Sequence, residues 1–221
     1  MNVSPEGLAI GLTSFVVLLF SLSFHEAAHA WMARRLGDLT AHHEGRITLN
    51  PIAHIDPIGT VLIPLLQIFG SGIPLIGWAK PTPYNPGNFD RSVTAARGHV
   101  LVAGAGPVSN LVLALVFTAL LFVAVHTGLI NTIGDPGREL LGTGIVMNVA
   151  LGIFNLFPLP PLDGSKVASW GLPRPLGERY DRIFEPFGPW LLLILVITGL
   201  LEVVLRPLVR LVTGLINWLI F

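Results

Sequence analysis

Long apolar runs separated by short polar or proline-rich stretches organise this chain. Residues 7–33 form the first run, which contains no Lys or Arg and whose only carboxylate is Glu26. At about 1.5 Å of rise per residue it is roughly 40 Å long as a helix, enough to cross a bilayer. Arg34 and Arg35 follow it, marking that end as cytoplasmic, and Gly37 is a helix stop. Residues 98–127 form a second long run; Pro107 predicts a kink, and the small residues Ala103-Gly104-Ala105-Gly106 predict close contact with a neighbouring helix. Residues 139–157 read as a moderately apolar helix that ends in prolines, and residues 128–138 as a short loop on the outer face. Residues 189–205 read as a further span. Residues 208–221 read as a short tilted, partial or interfacial helix, with Trp218 suited to the interface.

The intervening stretches carry their own signals. In the polar stretch 38–56, Gly45 predicts a tight hairpin turn with Arg46 to Leu49 as one strand. Residues 57–77 are apolar but broken by Pro64, Gly70-Ser71-Gly72 and Pro74. Their flanks are basic on both sides, which predicts a re-entrant segment that enters and leaves on one face; a full span is the alternative. Residues 78–90, rich in Pro and Asn, predict an extended loop. Residues 166–185, with Lys166, Arg174, Arg179 and Arg182, predict a cytoplasmic loop. The pattern as a whole predicts an all-α integral membrane protein, a polytopic bundle of about 4–6 membrane segments with one re-entrant segment and a small β-hairpin. We expect one membrane-embedded domain over 1–221, with a core over about 7–170 and C-terminal membrane helices over about 187–221.

Composition narrows the chemistry. Charged residues make up 12% of the chain and mean hydropathy is +0.71, whereas soluble domains carry about 25% charged residues. Net charge is zero, so nothing points to nucleic acid. There is no cysteine, so any metal must be held by His, Asp or Glu. The first apolar run is too long for a cleavable signal peptide.

Against this background Phe24-His25-Glu26-Ala27-Ala28-His29 stands out. His25 and His29, four apart, share one helical face with a carboxylate beside them, which is the spacing of the H-E-x-x-H zinc site. With seven His in the chain, chance placement gives about 0.007 such motifs, so the pattern has a cause. A buried hydrogen-bonded cluster is the plain alternative, but it leaves three costly intramembrane groups without a purpose. A third ligand is offered by Asp163, on the irregular chain Pro158-Leu159-Pro160-Pro161-Leu162-Asp163-Gly164; the competing reading is a helix N-cap. His42 and His43 read as solvated loop residues. His54 precedes an apolar run and could dip toward the metal. Asn110 reads as an interhelical hydrogen-bond partner.

These motifs resemble those of the site-2 protease family, the zinc-dependent intramembrane metalloproteases, in a compact form without PDZ or nucleotide-binding domains. The matching residues are the Phe24–His29 motif, Asn50-Pro51 with His54-Ile55-Asp56-Pro57-Ile58-Gly59, Gly77-Trp78-Ala79-Lys80-Pro81, Ala105-Gly106-Pro107 with Asn110, and Asn155 with Pro158 to Gly164. The resemblance implies one Zn2+ held by His25, His29 and Asp163, with Glu26 as general base. It implies that Asn155 holds substrate or polarises the scissile carbonyl, and more weakly that His54 assists the oxyanion. The expected activity is hydrolysis of peptide bonds in or near transmembrane segments of single-span membrane proteins. The expected setting is the cell membrane, as a multi-pass protein in contact with the lipid bilayer, with the active site toward the cytoplasmic side. The sequence names no adaptor or regulatory partner. Two rival classes remain: a non-proteolytic metal-binding or transport protein, which has no need of Glu26, and a membrane scaffold, which binds no metal.

Overall fold

The computed structural model describes residues 4–69, 77–130 and 134–220. The first helix, α1, runs Pro5–Arg35. Ser4 caps its start by accepting the Gly7 N–H at 3.1 Å, and Pro5 takes the first helical position, where its missing N–H costs nothing. Gly37, at φ +100°, turns the chain at its end. Helix α2 (Thr40–His43) is a single turn, and a 3-10 turn follows at Pro51–His54. A π-helical turn at Pro57–Leu62 leads into α3 (Ile63–Phe69). Helix α4 (Ala95–His126) carries Pro107 within it, and α5 (Pro136–Asn155) starts at Asp135, whose carboxylate accepts the Gly137 N–H at 2.8 Å. Helices α6 (Gly164–Gly171), α7 (Arg174–Ile197) and α8 (Leu200–Ile220) complete the chain.

Helices α1, α4 and α5 pack against one another, and α8 covers α5 and α4. One apolar cluster joins α4, α5 and α8 through Ala114, Leu121, Ile145, Val149 and Ile216; another joins Leu18, Leu22 and Ala79 to Met147 and Leu151. The outer faces are apolar too: Val16 on α1 is 60% exposed and Leu115 on α4 is 61% exposed. The buried polar side chains lie inside, among them Ser21, His25, Glu26, His29, Asn110 and Asn148. Apolar surface around a polar interior suits lipid as solvent.

Two helices, α1 and α4, are long and apolar enough to cross a membrane, and α7 with α8, bent by 78° at their junction, form a third span if taken as one. The expected count of 4–6 segments is therefore not borne out among the described residues. Helix α5 falls short because Arg138, Glu139, Asn148 and Asn155 interrupt its apolar character. The segment expected over 57–77 appears as a short apolar helix, Pro57–Phe69, below spanning length. The glycine and proline breaks expected to turn it back, 70–74, lie outside the described residues, so re-entry is not borne out.

The hairpin is corrected outright: no strand occurs among the described residues. Arg46 is buried instead of lying along a strand face. Its guanidinium donates to the carbonyls of Ala53 at 2.6 Å, Lys80 at 3.5 Å and Pro81 at 3.4 Å, and gathers three segments around one side chain. The loop expected over 166–185 is helical, as α6 and the first half of α7. Arg174 and Glu178 pair at i,i+4 there (3.0 Å), and the apolar half of α7 continues through Pro186 and Pro189 to Ile197. Gly199, at φ +72°, makes the break before α8.

Candidate metal centre

His25 and His29 lie on the inward face of α1, about 15 and 9 Å along the helix axis from Arg35. Asp163 sits at the N-cap position of α6, yet its side chain makes no capping bond. It points back at the histidines, with Oδ2 3.1 Å from His25 Nε2 and 3.3 Å from His29 Nε2. The two Nε2 atoms are 3.0 Å apart. Gly164 makes this turn feasible: a Cβ there would overlap the backbone of Leu156 and Phe157, at 2.7 Å from the Phe157 oxygen.

The opposite ring nitrogens are both tied to acceptors. His29 Nδ1 lies 2.7 Å from the Val102 carbonyl, which can only accept, and His25 Nδ1 lies 2.7 Å from Asn110 Oδ1. With the protons on Nδ1, both Nε2 atoms present lone pairs. Those lone pairs and a carboxylate oxygen face one another, and Asp163 Oδ2 is buried without a hydrogen-bond donor. Three such atoms at this spacing repel unless a cation lies among them. The three residues offer ligand atoms all within 4.8 Å of one another, the only such group of three or more among the described residues. Two imidazoles and one carboxylate, each imidazole held by a second partner, match a catalytic zinc site that keeps one position open.

Helix α4 closes the other side. A Cβ on Gly106 would lie 2.6 Å from His25 Nε2 and closer still to His29 Nε2, so only glycine lets α4 approach the pair. Glu26 is buried next to the ligands, and one of its carboxylate oxygens accepts the Thr82 N–H at 2.8 Å. The Thr82 hydroxyl donates to the Glu26 carbonyl at 3.0 Å, so residues 77–82 brace this turn of α1. That stretch is anchored along its length: Trp78 N–H to Gly59 O (3.1 Å) and Lys80 N–H to His54 O (2.9 Å). Its alternate backbone donors, at Trp78, Lys80 and Thr82, are therefore engaged, and Pro81 and Pro83 have none. Tyr84 follows it; burial, helped by the nearby Asp163 charge, pushes its phenol up to about 12 and keeps it a donor at neutral pH.

Two other expected site residues stand differently. His54 is buried, with Nε2 2.9 Å from the Thr48 carbonyl and Nδ1 unpartnered, and it is not part of the converging group. The Asn155 amide donates to Leu151 O of its own helix at 3.0 Å. Two contributors went unread in the sequence: Thr82 has no distinguishing local pattern. Asn148 did carry a signal, as a lone amide in Ile145-Val146-Met147-Asn148-Val149-Ala150.

Curated proteins of similar sequence carry metalloprotease names. The chain is 38% identical over 197 residues, 88% of its length and 84% of the relative's, to a Bacillus subtilis protein named "Putative zinc metalloprotease YwhC". It is 32% identical over 184 residues to "Putative zinc metalloprotease Rip2" of Mycolicibacterium smegmatis, covering 81% of this chain and 63% of that one. It is 30% identical over 169 residues to "Putative zinc metalloprotease MJ0611" of Methanocaldococcus jannaschii, covering 71% of this chain and 74% of that one. No family model and no solved structure matches.

Proposed function

Because the chain belongs to the zinc metalloprotease family of these relatives, we propose that it is an intramembrane peptidase of the site-2 type, cutting single-span membrane proteins within or beside their transmembrane segments. The observation that carries this reading is the convergence of His25 Nε2, His29 Nε2 and Asp163 Oδ2, with the Glu26 carboxylate alongside, inside a helix apolar enough to span a membrane. Arg34 and Arg35, in the last turn of α1, support a site toward the cytoplasmic side of the cell membrane.

His25, His29 and Asp163 would hold one Zn2+. When bound, zinc supplies a water of lowered pKa and a Lewis acid for the scissile carbonyl. Glu26 accepts the proton of the attacking water as the new C–O bond forms, and returns it to the amine nitrogen as the C–N bond breaks. Thr82 holds one oxygen of Glu26 and so fixes where its carboxylate can reach. Asn155, with one amide N–H held by Leu151 O, would hold substrate through its remaining N–H and its carbonyl oxygen. A helical substrate keeps its carbonyls in its own hydrogen bonds, so it must unwind locally before attack.

The test is cleavage of a panel of single-span substrates by the purified chain in lipid vesicles, with zinc, wild type against Glu26→Gln. Cleavage lost in the variant, with metal content retained, is the expected result. Metal flux or binding that persists with no cleavage in either protein would favour the transport class.

A further inference from the structure

Behind His25, on the ring nitrogen opposite Asp163, lies a buried chain of side chains from three helices: Ser21 on α1, Asn110 on α4 and Asn148 on α5, each fully enclosed. Its polarity can be read from its far end. The Gly144 carbonyl can only accept, so the group of Asn148 that lies 2.8 Å from it must be the amide nitrogen, which also reaches Ser21 Oγ at 2.9 Å. Asn148 therefore turns its oxygen to Asn110. The Asn110 nitrogen donates to that oxygen at 2.9 Å and to the Ser21 carbonyl at 3.3 Å. Only the Asn110 oxygen is left for His25, 2.7 Å from Nδ1. An acceptor there requires the proton on Nδ1 and leaves Nε2 bare. Two backbone carbonyls thus fix both amide orientations, and the amides fix the tautomer.

We propose that Asn148 is a positioning residue for the metal centre: through Asn110 it holds His25 in the tautomer that presents Nε2 as a ligand. The residue is about two and a half helical turns from the nearest charged group on its own helix, Glu139, and touches no ligand directly. Its contribution is to deny Asn110 the flipped state. If Asn110 turned over, its oxygen would face the Asn148 oxygen and the Ser21 carbonyl, and its nitrogen would push the His25 proton onto Nε2. Helix α5 is thereby coupled to metal affinity through side chains alone. This inference rests on the metal-site reading above.

The test uses the full chain in detergent, stripped by chelator and titrated with Co2+, with visible absorption reporting ligation. In parallel, 15N NMR of the histidine-labelled metal-free protein reports the His25 tautomer. Asn148→Leu should weaken Co2+ binding roughly tenfold to hundredfold and shift His25 toward a mixture of tautomers. Asn148→Asp, kept protonated by its buried apolar surroundings, donates its O–H to the Gly144 carbonyl and keeps its other oxygen facing Asn110, so it should stay within about threefold of wild type. Should Asn148→Leu fail to fold, Asn148→Ser, too short to reach Asn110, carries the same expectation. Wild-type affinity and tautomer in Asn148→Leu, or Asn148→Asp as weak as Asn148→Leu, would overturn the positioning role while leaving the metalloprotease reading intact. Failure of the wild type itself to bind Co2+ would overturn both.

Discussion

The polar groups of the α1–α4–α5 core and those of the α6–α8 region are arranged in opposite ways. In the core, Ser21, His25, Glu26, His29, Asn110 and Asn148 are buried within apolar helices, and their hydrogen bonds run from helix to helix. In the C-terminal part, Lys166 pairs with Glu185, Arg174 with Glu178 and Glu202 with Arg206 at the surface, and two of these three pairs lie within one turn of a single helix. A buried polar group in an apolar setting costs free energy unless it has partners and a purpose, whereas an exposed ion pair contributes ~0–1 kcal/mol. The contrast separates residues that build the site from residues that only solvate the chain.

Substitutions can break that contrast, and the largest effect belongs to Glu26. Glu26→Gln should lower the turnover of a cleaved substrate by about a hundredfold to ten-thousandfold while leaving zinc content unchanged. Gly106→Ala comes next. Its methyl group has no room beside His25 and His29, so we expect weakened metal binding and a stability loss of about 1–3 kcal/mol, read by metal titration and thermal unfolding in detergent. Gly104, one turn-position away with open space around it, should tolerate the same change.

Asp38 gives a smaller, pH-dependent effect at the junction between α1 and the following loops. Burial raises its pKa, but hydrogen bonds from the Thr40 hydroxyl, Asn88 and the Asn85 and Thr40 N–H groups outweigh this and hold it below the usual carboxylate value. A carboxylate whose folded pKa is depressed stabilises the fold above its unfolded value, and that stability is lost as pH falls through the folded value. Thermal unfolding should therefore show a loss of stability on acidification below about pH 4, and Asp38→Asn should flatten that part of the profile. The smallest effect is expected at Arg174→Ala with Glu178→Ala, which should shift stability by about 0.5 kcal/mol or less and leave metal affinity unchanged. A large loss there would erase the distinction between the two regions.

The three converging residues were legible in the sequence for two reasons: His25 and His29 share a helix face by periodicity alone, and Asp163 stands where prolines forbid regular helix. The partners that make them work were not. Gly106 looks like any small residue of α4 until the fold brings it against the histidines, and Thr82 reaches Glu26 across 56 residues of sequence. The expected hairpin failed for a related reason. Nothing local distinguishes an arginine on a strand from Arg46, whose side chain replaces strand pairing by binding carbonyls from 53, 80 and 81. The expected segment count finds no support in length and composition, because Arg138, Glu139, Asn148 and Asn155 make α5 less apolar than α1 and α4.

The most direct measurement is the zinc content of the purified chain with and without the carboxylate contributed from far along the sequence. About one zinc per chain in the wild type, lost in both His25→Ala and Asp163→Ala, is the expected result for one ion with one ligand from each imidazole and one from the carboxylate. Zinc retained at the wild-type level in Asp163→Ala would contradict the proposed centre.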